Sequence, residues 1–184
     1  MVTEILDKQK VFFEAGNTWD TRSRRAMLQI LANTVKEVAG SDPDVPAVFE
    51  EISEVRKHLY KWSGTGWLRL LLSLFARPKG GPVPRGNVLI DAASAGSLGG
   101  ILLPLVSALA AGNTAVVIVP DSPAGETVSK IVDETFTDDF VAIAGADEAS
   151  ALKEQAFDFV YSADSPVPCK GREGFMAFST SSAG

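Results

Sequence analysis

The stretch that decides the fold is Asn87–Pro120, NVLIDAASAGSLGGILLPLVSALAAGNTAVVIVP. It opens on an apolar run, NVLID, turns through the small residues AASAGS, continues as the apolar segment LGGILLPLVSALAAG and ends in a second apolar run, AVVIV. Neither run alternates apolar with polar residues, and only strands covered on both faces lack that alternation. The stretch therefore predicts two buried parallel strands joined by a crossover helix, a βαβ unit. Gly112 and Asn113 end the helix, because glycine accepts the left-handed conformation that closes it, and the link to the next strand is short.

Downstream, SPAGETVSKIVDETF reads as a helix capped by Ser122 with Pro123 in its first turn. DDFVAIAG is a third strand, a helix follows from Ala146 or Asp147 to about Gln155, and FDFVYS is a fourth strand. Upstream, three helices are expected. The first spans about residues 2–15; the second runs from Thr18, Asp20 or Thr21 to about Val38; the third follows the polar break GSDPDVP and runs to about Trp62. The fold class is thus α/β: a three-layer, Rossmann-like sandwich with a short parallel sheet of about four strands, preceded by a helical layer. One domain is expected over 1–184, with the helical layer at about 1–76, the βαβ core at about 86–164 and a tail at 165–184.

Composition narrows the function classes. The 184 residues are 46% hydrophobic and 22% charged, enough for one domain with a real core. A formal charge of −6 argues against a nucleic-acid surface, which needs clustered Lys and Arg. A single Cys, Cys169, excludes a disulfide framework, and the charged start MVTEILDKQK lacks a signal-peptide core, so the expected location is cytoplasmic. His58, the one histidine, cannot build a metal site alone, and no metal is expected. Trp67–Phe75 is apolar on nearly all sides but too short to span a bilayer, which takes about 20 apolar residues. With Arg69, Arg77 and Lys79 beside it, the 67–77 stretch reads as a packed helix, a subunit contact or a weak interfacial membrane contact. Arg22, Arg24 and Arg25 read as solvated surface or ion pairs rather than a phosphate site.

The run PLVSALAAGNTAVVIVPDSPAGET resembles the aldehyde dehydrogenase superfamily, in which a proline-led helix ending in AAGNT precedes a strand and a proline. FFEAGNTWDTRSRRAMLQIL resembles that family's N-terminal helix pair, EEISEVRKHLYKWSG its next helix and FDFVYSADS a strand ending in a cofactor turn. The resemblance implies a truncated, degenerate member that matches the N-terminal cofactor-domain portion, without the domain that bears the catalytic Cys. It also implies that the family's working residues are replaced. The substrate loop S-P-W-N-Y-P corresponds to Ala92, Ala93, Ser94, Ala95, Gly96 and Ser97, where Ala95 cannot replace the oxyanion-donating Asn. The cofactor strand's K-P-S-E becomes Val119, Pro120, Asp121 and Ser122, with no ammonium for the ribose. The F-T-G-S turn becomes Tyr161, Ser162, Ala163 and Asp164, and a carboxylate there repels a diphosphate. No nicotinamide cofactor is therefore expected, and Cys169 lies outside any nucleophile motif.

Ligands of parallel sheets bind beyond the carboxyl ends of the strands. Those ends carry Asp91, Asp121 with Ser122, Gly145, and Ser162 with Asp164. If the first and fourth strands are neighbours, Asp91 and Asp164 face one crevice and can divide acid and base work. Asp91 is equally read as a cap on the turn AASAGS, which needs no substrate. Gly96, Gly99 and Gly100 do not make a dinucleotide fingerprint, because Asp91 and Ala92 stand where the first glycine belongs.

Two function classes follow. One is a redox-neutral isomerase, cyclase or ring-opening enzyme acting on an apolar small molecule, plausibly in a biosynthetic pathway. Its catalytic groups would be Asp91, Asp164, Tyr161 and His58, and its binding groups Ser94, Ser97, Asp121, Ser122 and Ser162. The other is a non-catalytic pseudoenzyme that binds a partner or oligomerises. Either is expected to form a homodimer or larger assembly that covers apolar surface.

Overall fold

The computed structural model describes residues 2–63 and 84–162. Expectations for Trp67–Phe75, Asp164, Cys169 and the tail fall outside those residues. In chain order the elements are α1 (Val2–Glu14), α2 (Thr21–Ala39), α3 (Val45–Ser63), β1 (Asn87–Asp91), α4 (Leu98–Ala110), β2 (Thr114–Ile118), α5 (Pro123–Thr135), β3 (Val141–Ala144), a 3-10 turn (Ala146–Glu148), α6 (Ala149–Lys153) and β4 (Phe159–Ser162). The last expected helix is thus split, a 3-10 turn leading into five residues of α-helix.

All strand pairings are parallel, in the order β3-β2-β1-β4. The chain steps outward from β1 to β2 to β3, with α4 and α5 as crossovers, then jumps back so that β4 pairs with the free side of β1. That reversal puts the last crossover on the opposite face of the sheet, since crossovers keep one hand. The core shows the same division. Val88, Ile90, Ala115, Val117 and Val141 pack with the inner sides of α2, α3, α4 and α5. Leu89, Val116, Ile118, Ala142 and Ala144 pack with Leu152 of α6 and Phe157, flanked by Ile5 and Leu6 of α1. All of β2 is buried, and β1 is buried from Val88 onward, as the absence of alternation requires.

The three N-terminal helices divide between the faces. α2 and α3 pack on each other and over α5 and α4, whereas α1 lies against β1 and β2 on the α6 side. Gln9 fixes α1 there: it is fully buried, and its Nε2 donates to the carbonyls of Ala115 at 2.9 Å and Asp138 at 3.1 Å. Phe12 stacks on Phe140 with ring centroids 5.4 Å apart.

The amino-terminal end of the sheet is closed by the AAGNT segment. Gly112 takes φ +88, and a Cβ there would lie 2.9 Å from Arg24 Cζ and from Pro84. Asn113 Oδ1 accepts the amides of Arg85 at 2.7 Å and Gly86 at 3.2 Å, while its Nδ2 donates to the Ala108 carbonyl at 3.2 Å. Arg24 is 6% exposed rather than solvated. Its Nη atoms donate to the carbonyls of Ala110 at 3.1 Å and Trp19 at 2.7 Å, placing a cation at the carboxyl end of α4, where the helix dipole favours one. Burial holds its pKa below the usual arginine value.

Candidate functional site at the strand reversal

The candidate site is placed at the carboxyl end of the sheet, because the strand order reverses between β1 and β4 and ligands of open parallel sheets bind at such reversals. β1 ends in Asp91, registered with Ile118 on one side and Ser162 on the other. Side chains alternate along a strand, so Asp91 points with Leu89 toward the α1 and α6 face. There Asp91 Oδ2 lies 2.6 Å from Lys153 Nζ, the last residue of α6. The Asp91 side chain is 9% exposed and that of Lys153 34%, so the pair is sunk on one side and open to solvent on the other. Oδ1 accepts the Ala93 amide at 3.4 Å, a long bond that gives the turn-capping reading a partial basis.

Ser162 shares this face with Asp91, being in step with Val160, which packs in the same cluster. Tyr161 points the other way, and with Phe159 it packs against the cluster under α4. His58 is exposed on α3, which packs on α4, so the sheet separates it from Lys153. The reversal therefore brings together Asp91, Lys153 and Ser162 and leaves Tyr161 and His58 on the opposite side. Asp164, expected at the same crevice, lies outside the described residues.

The serines and the second acid at this edge hold backbone or face solvent. Ser97 caps α4, its Oγ accepting the Gly100 amide at 3.3 Å, and Ser122 caps α5, accepting the Gly125 amide at 3.3 Å. The first turn of α5 is tight against the strand, since a Cβ on Gly125 would lie 2.0 Å from the Pro120 carbonyl oxygen. Ser94 and Asp121 are exposed. A further carboxylate that sequence reasoning passed over, Asp44, reaches from the loop before α3 to accept the Gly99 amide at 2.8 Å. The amino terminus of α4, a ready place for an anion, is thus taken by the protein's own acid. Nor do the residues at the end of β2 fit a nicotinamide dinucleotide: an acid, Asp121, stands there, and the Gly99 and Gly100 amides of α4 are already bonded.

Lys153 was also missed, although a signal for it existed. It is the single basic residue between β3 and β4, on the crossover that the reversal places on the Asp91 face. Among the described residues no group of three or more His, Cys, Asp or Glu side chains converges, and no described helix is long and apolar enough to cross a membrane.

No protein-family model matches the chain, and a comparison with curated proteins gives no match. Solved structures do match. A substrate-bound state of AldH from Staphylococcus aureus superposes with a TM-score of 0.69 at 23% identity, over 88% of this chain and 40% of that one. Proline utilization A (PutA), solved with proline bound in remote sites, superposes with a TM-score of 0.53 at 15% identity, over 87% of this chain and 19% of that one. The chain thus spans less than half the length of either structure. In fold it is aldehyde dehydrogenase-like, corresponding to part of such an enzyme.

Proposed function

We propose that the chain is a redox-neutral acid/base enzyme that binds a largely apolar small molecule at the β1/β4 reversal and moves a proton with Asp91. One observation carries this reading: a carboxylate 9% exposed, at the end of the central strand, held 2.6 Å from an ammonium that opens to solvent. Proton transfer needs a positioned group within hydrogen-bond reach of the substrate, and a fixed carboxylate at a ligand-binding edge meets that need. The poor fit to a nicotinamide dinucleotide supports redox-neutral chemistry over aldehyde oxidation. Ser162 lines the same face. The proposal includes a cytoplasmic homodimer.

The test compares wild-type protein with Asp91→Asn for thermal stabilisation and turnover on fractionated metabolite extracts, with NAD as a control. A ligand at a hundredfold excess over its dissociation constant raises folded-state stability by about 2.7 kcal/mol. The expected outcome is a stabilising fraction whose conversion disappears in Asp91→Asn, with no response to NAD. Stabilisation by NAD would return the chain to the dehydrogenases.

A second reading, a partner-binding or oligomerisation module without catalysis, is favoured by Val11, Trp19 and Ile30, which are 68%, 57% and 53% exposed. Loss of self-association in Trp19→Ser and Ile30→Ser, with no metabolite turned over by wild type, would establish that reading.

A further inference from the structure

We propose that Lys153 is the substrate-holding group of this site and that its ligand is a carbonyl compound with a removable proton on the carbon beside the carbonyl. The inference rests on the proton-transfer reading above and adds the substrate class to it. A lysine ammonium has three N–H donors. The ammonium is ion-paired with Asp91, its Nζ 2.6 Å from Oδ2; no other acceptor for Lys153 is found among the described residues, and its side chain is 34% exposed. The site therefore sets available cationic donors directly beside a carboxylate. That juxtaposition suits a substrate with an oxygen that gains negative charge next to a carbon that loses a proton. A plain hydrocarbon would leave the remaining Lys153 donors without an acceptor.

The chemistry closes without an external oxidant or reductant. The Asp91 carboxylate takes the proton from the carbon beside the carbonyl. The C–H electron pair becomes the new C=C bond, and the carbonyl π pair moves onto oxygen, giving an enolate held by N–H donors of Lys153. When the substrate carries a double bond one carbon farther along, the Asp91 carboxyl returns the proton to the far end of the extended enolate. The carbonyl reforms, and the net result is a shifted double bond. Donors aimed at the oxygen where charge develops stabilise such an intermediate more than the bound ketone.

Two probes separate the parts. para-Nitrophenol, whose phenolate carries oxygen charge on a planar conjugated frame, reports oxyanion binding by its visible absorbance. A β,γ-unsaturated cyclohexenone reports proton transfer by the ultraviolet absorbance of its conjugated isomer. Wild type is expected to bind the phenolate and isomerise the ketone. Lys153→Gln should lose about tenfold or more in phenolate affinity, as befits loss of a charge-assisted hydrogen bond, with Lys153→Arg restoring most of it. Asp91→Asn should bind the phenolate at least as well and lose isomerisation. Should Lys153→Gln leave Asp91 unpaired and fail to fold, the Asp91→Asn/Lys153→Gln double variant removes both charges and gives the same affinity comparison against Asp91→Asn. No phenolate binding by wild type, or equal affinity with and without Lys153, overturns the assignment of Lys153. Binding that depends on Lys153 while isomerisation survives in Asp91→Asn overturns Asp91 as the base and leaves the Lys153 oxyanion site standing. Binding with no isomerisation in wild type overturns the carbonyl substrate class.

Discussion

Asp44 accepts the Gly99 amide at 2.8 Å across 55 positions, so the loop that ends α2 also caps the helix of the central βαβ unit. The link fastens the helical layer to the sheet layer at the edge where the site lies. Replacing a capping acid with alanine costs about 0.5–2 kcal/mol, and Asp44→Ala is expected in that range, with Asp44→Asn retaining much of the bond. Urea denaturation would show a lower midpoint at unchanged slope. A midpoint unmoved in Asp44→Ala would mean that the bond adds nothing.

At the other end of the sheet, Asn113 should cost more. Its side chain satisfies the Arg85 and Gly86 amides and the Ala108 carbonyl, and Asn113 is 6% exposed. Asn113→Ala leaves the Arg85 and Gly86 amides without that acceptor, at about 1–3 kcal/mol for a buried donor, while the Ala108 carbonyl keeps the backbone amide of residue 113. Gly112→Ala is expected to be at least as damaging, because it combines φ +88 with a Cβ 2.9 Å from Arg24 Cζ. Both variants should leave binding at the opposite edge intact once folded, measurable as unchanged ligand affinity below the unfolding transition.

These two clusters explain what was legible in the sequence. Strands β1 and β2 and helices α4 and α5 follow from local composition: unbroken apolar runs, Ser122 at a helix start, Gly112 at a helix end. The AAGNT segment that carried the family resemblance is a folding device at the amino-terminal edge, which explains how the fold can be recognised while the function is not. What stayed hidden are bonds between distant positions. Asp44 read as part of a polar break, and Arg24 as surface because a cluster of arginines usually is. Tyr161 read as a catalytic group alongside Asp91, although two-residue alternation in FVYS puts Tyr161 and Ser162 on opposite faces. Lys153 needed the sheet order before its face could be assigned.

The Asp91–Lys153 pair gives a stability prediction independent of any substrate. Exposed ion pairs contribute about 0–1 kcal/mol, while breaking a fully buried one costs about 3–5 kcal/mol. With one side chain 9% and the other 34% exposed, the pair lies between these limits. The coupling expected from a double-mutant cycle of Asp91→Asn and Lys153→Met is about 1–2 kcal/mol. Lys153→Met alone should be less stable than the double variant, because it strands a buried carboxylate. The reverse order would show that the ammonium does not compensate Asp91 in solution.

The acid limb of stability should carry the signature of the α2 cap. Asp20 Oδ2 accepts the Ser23 amide at 2.9 Å and the Ser23 hydroxyl at 2.8 Å, and those bonds hold its pKa below the usual carboxylate value. A depressed folded-state pKa means that the unfolded chain takes up the proton first. The cap's contribution is therefore present in full above the unfolded value of about 3.9 and is lost as pH falls through the lower folded value. Asp20 is exposed, so solvent screening keeps the effect small. The stability difference between wild type and Asp20→Asn should be constant from about pH 5 to 7 and shrink as pH drops below about 4. Guanidinium titrations at closely spaced pH values would measure it; a difference that grew on acidification would mean that the carboxylate is not the group bonded to Ser23.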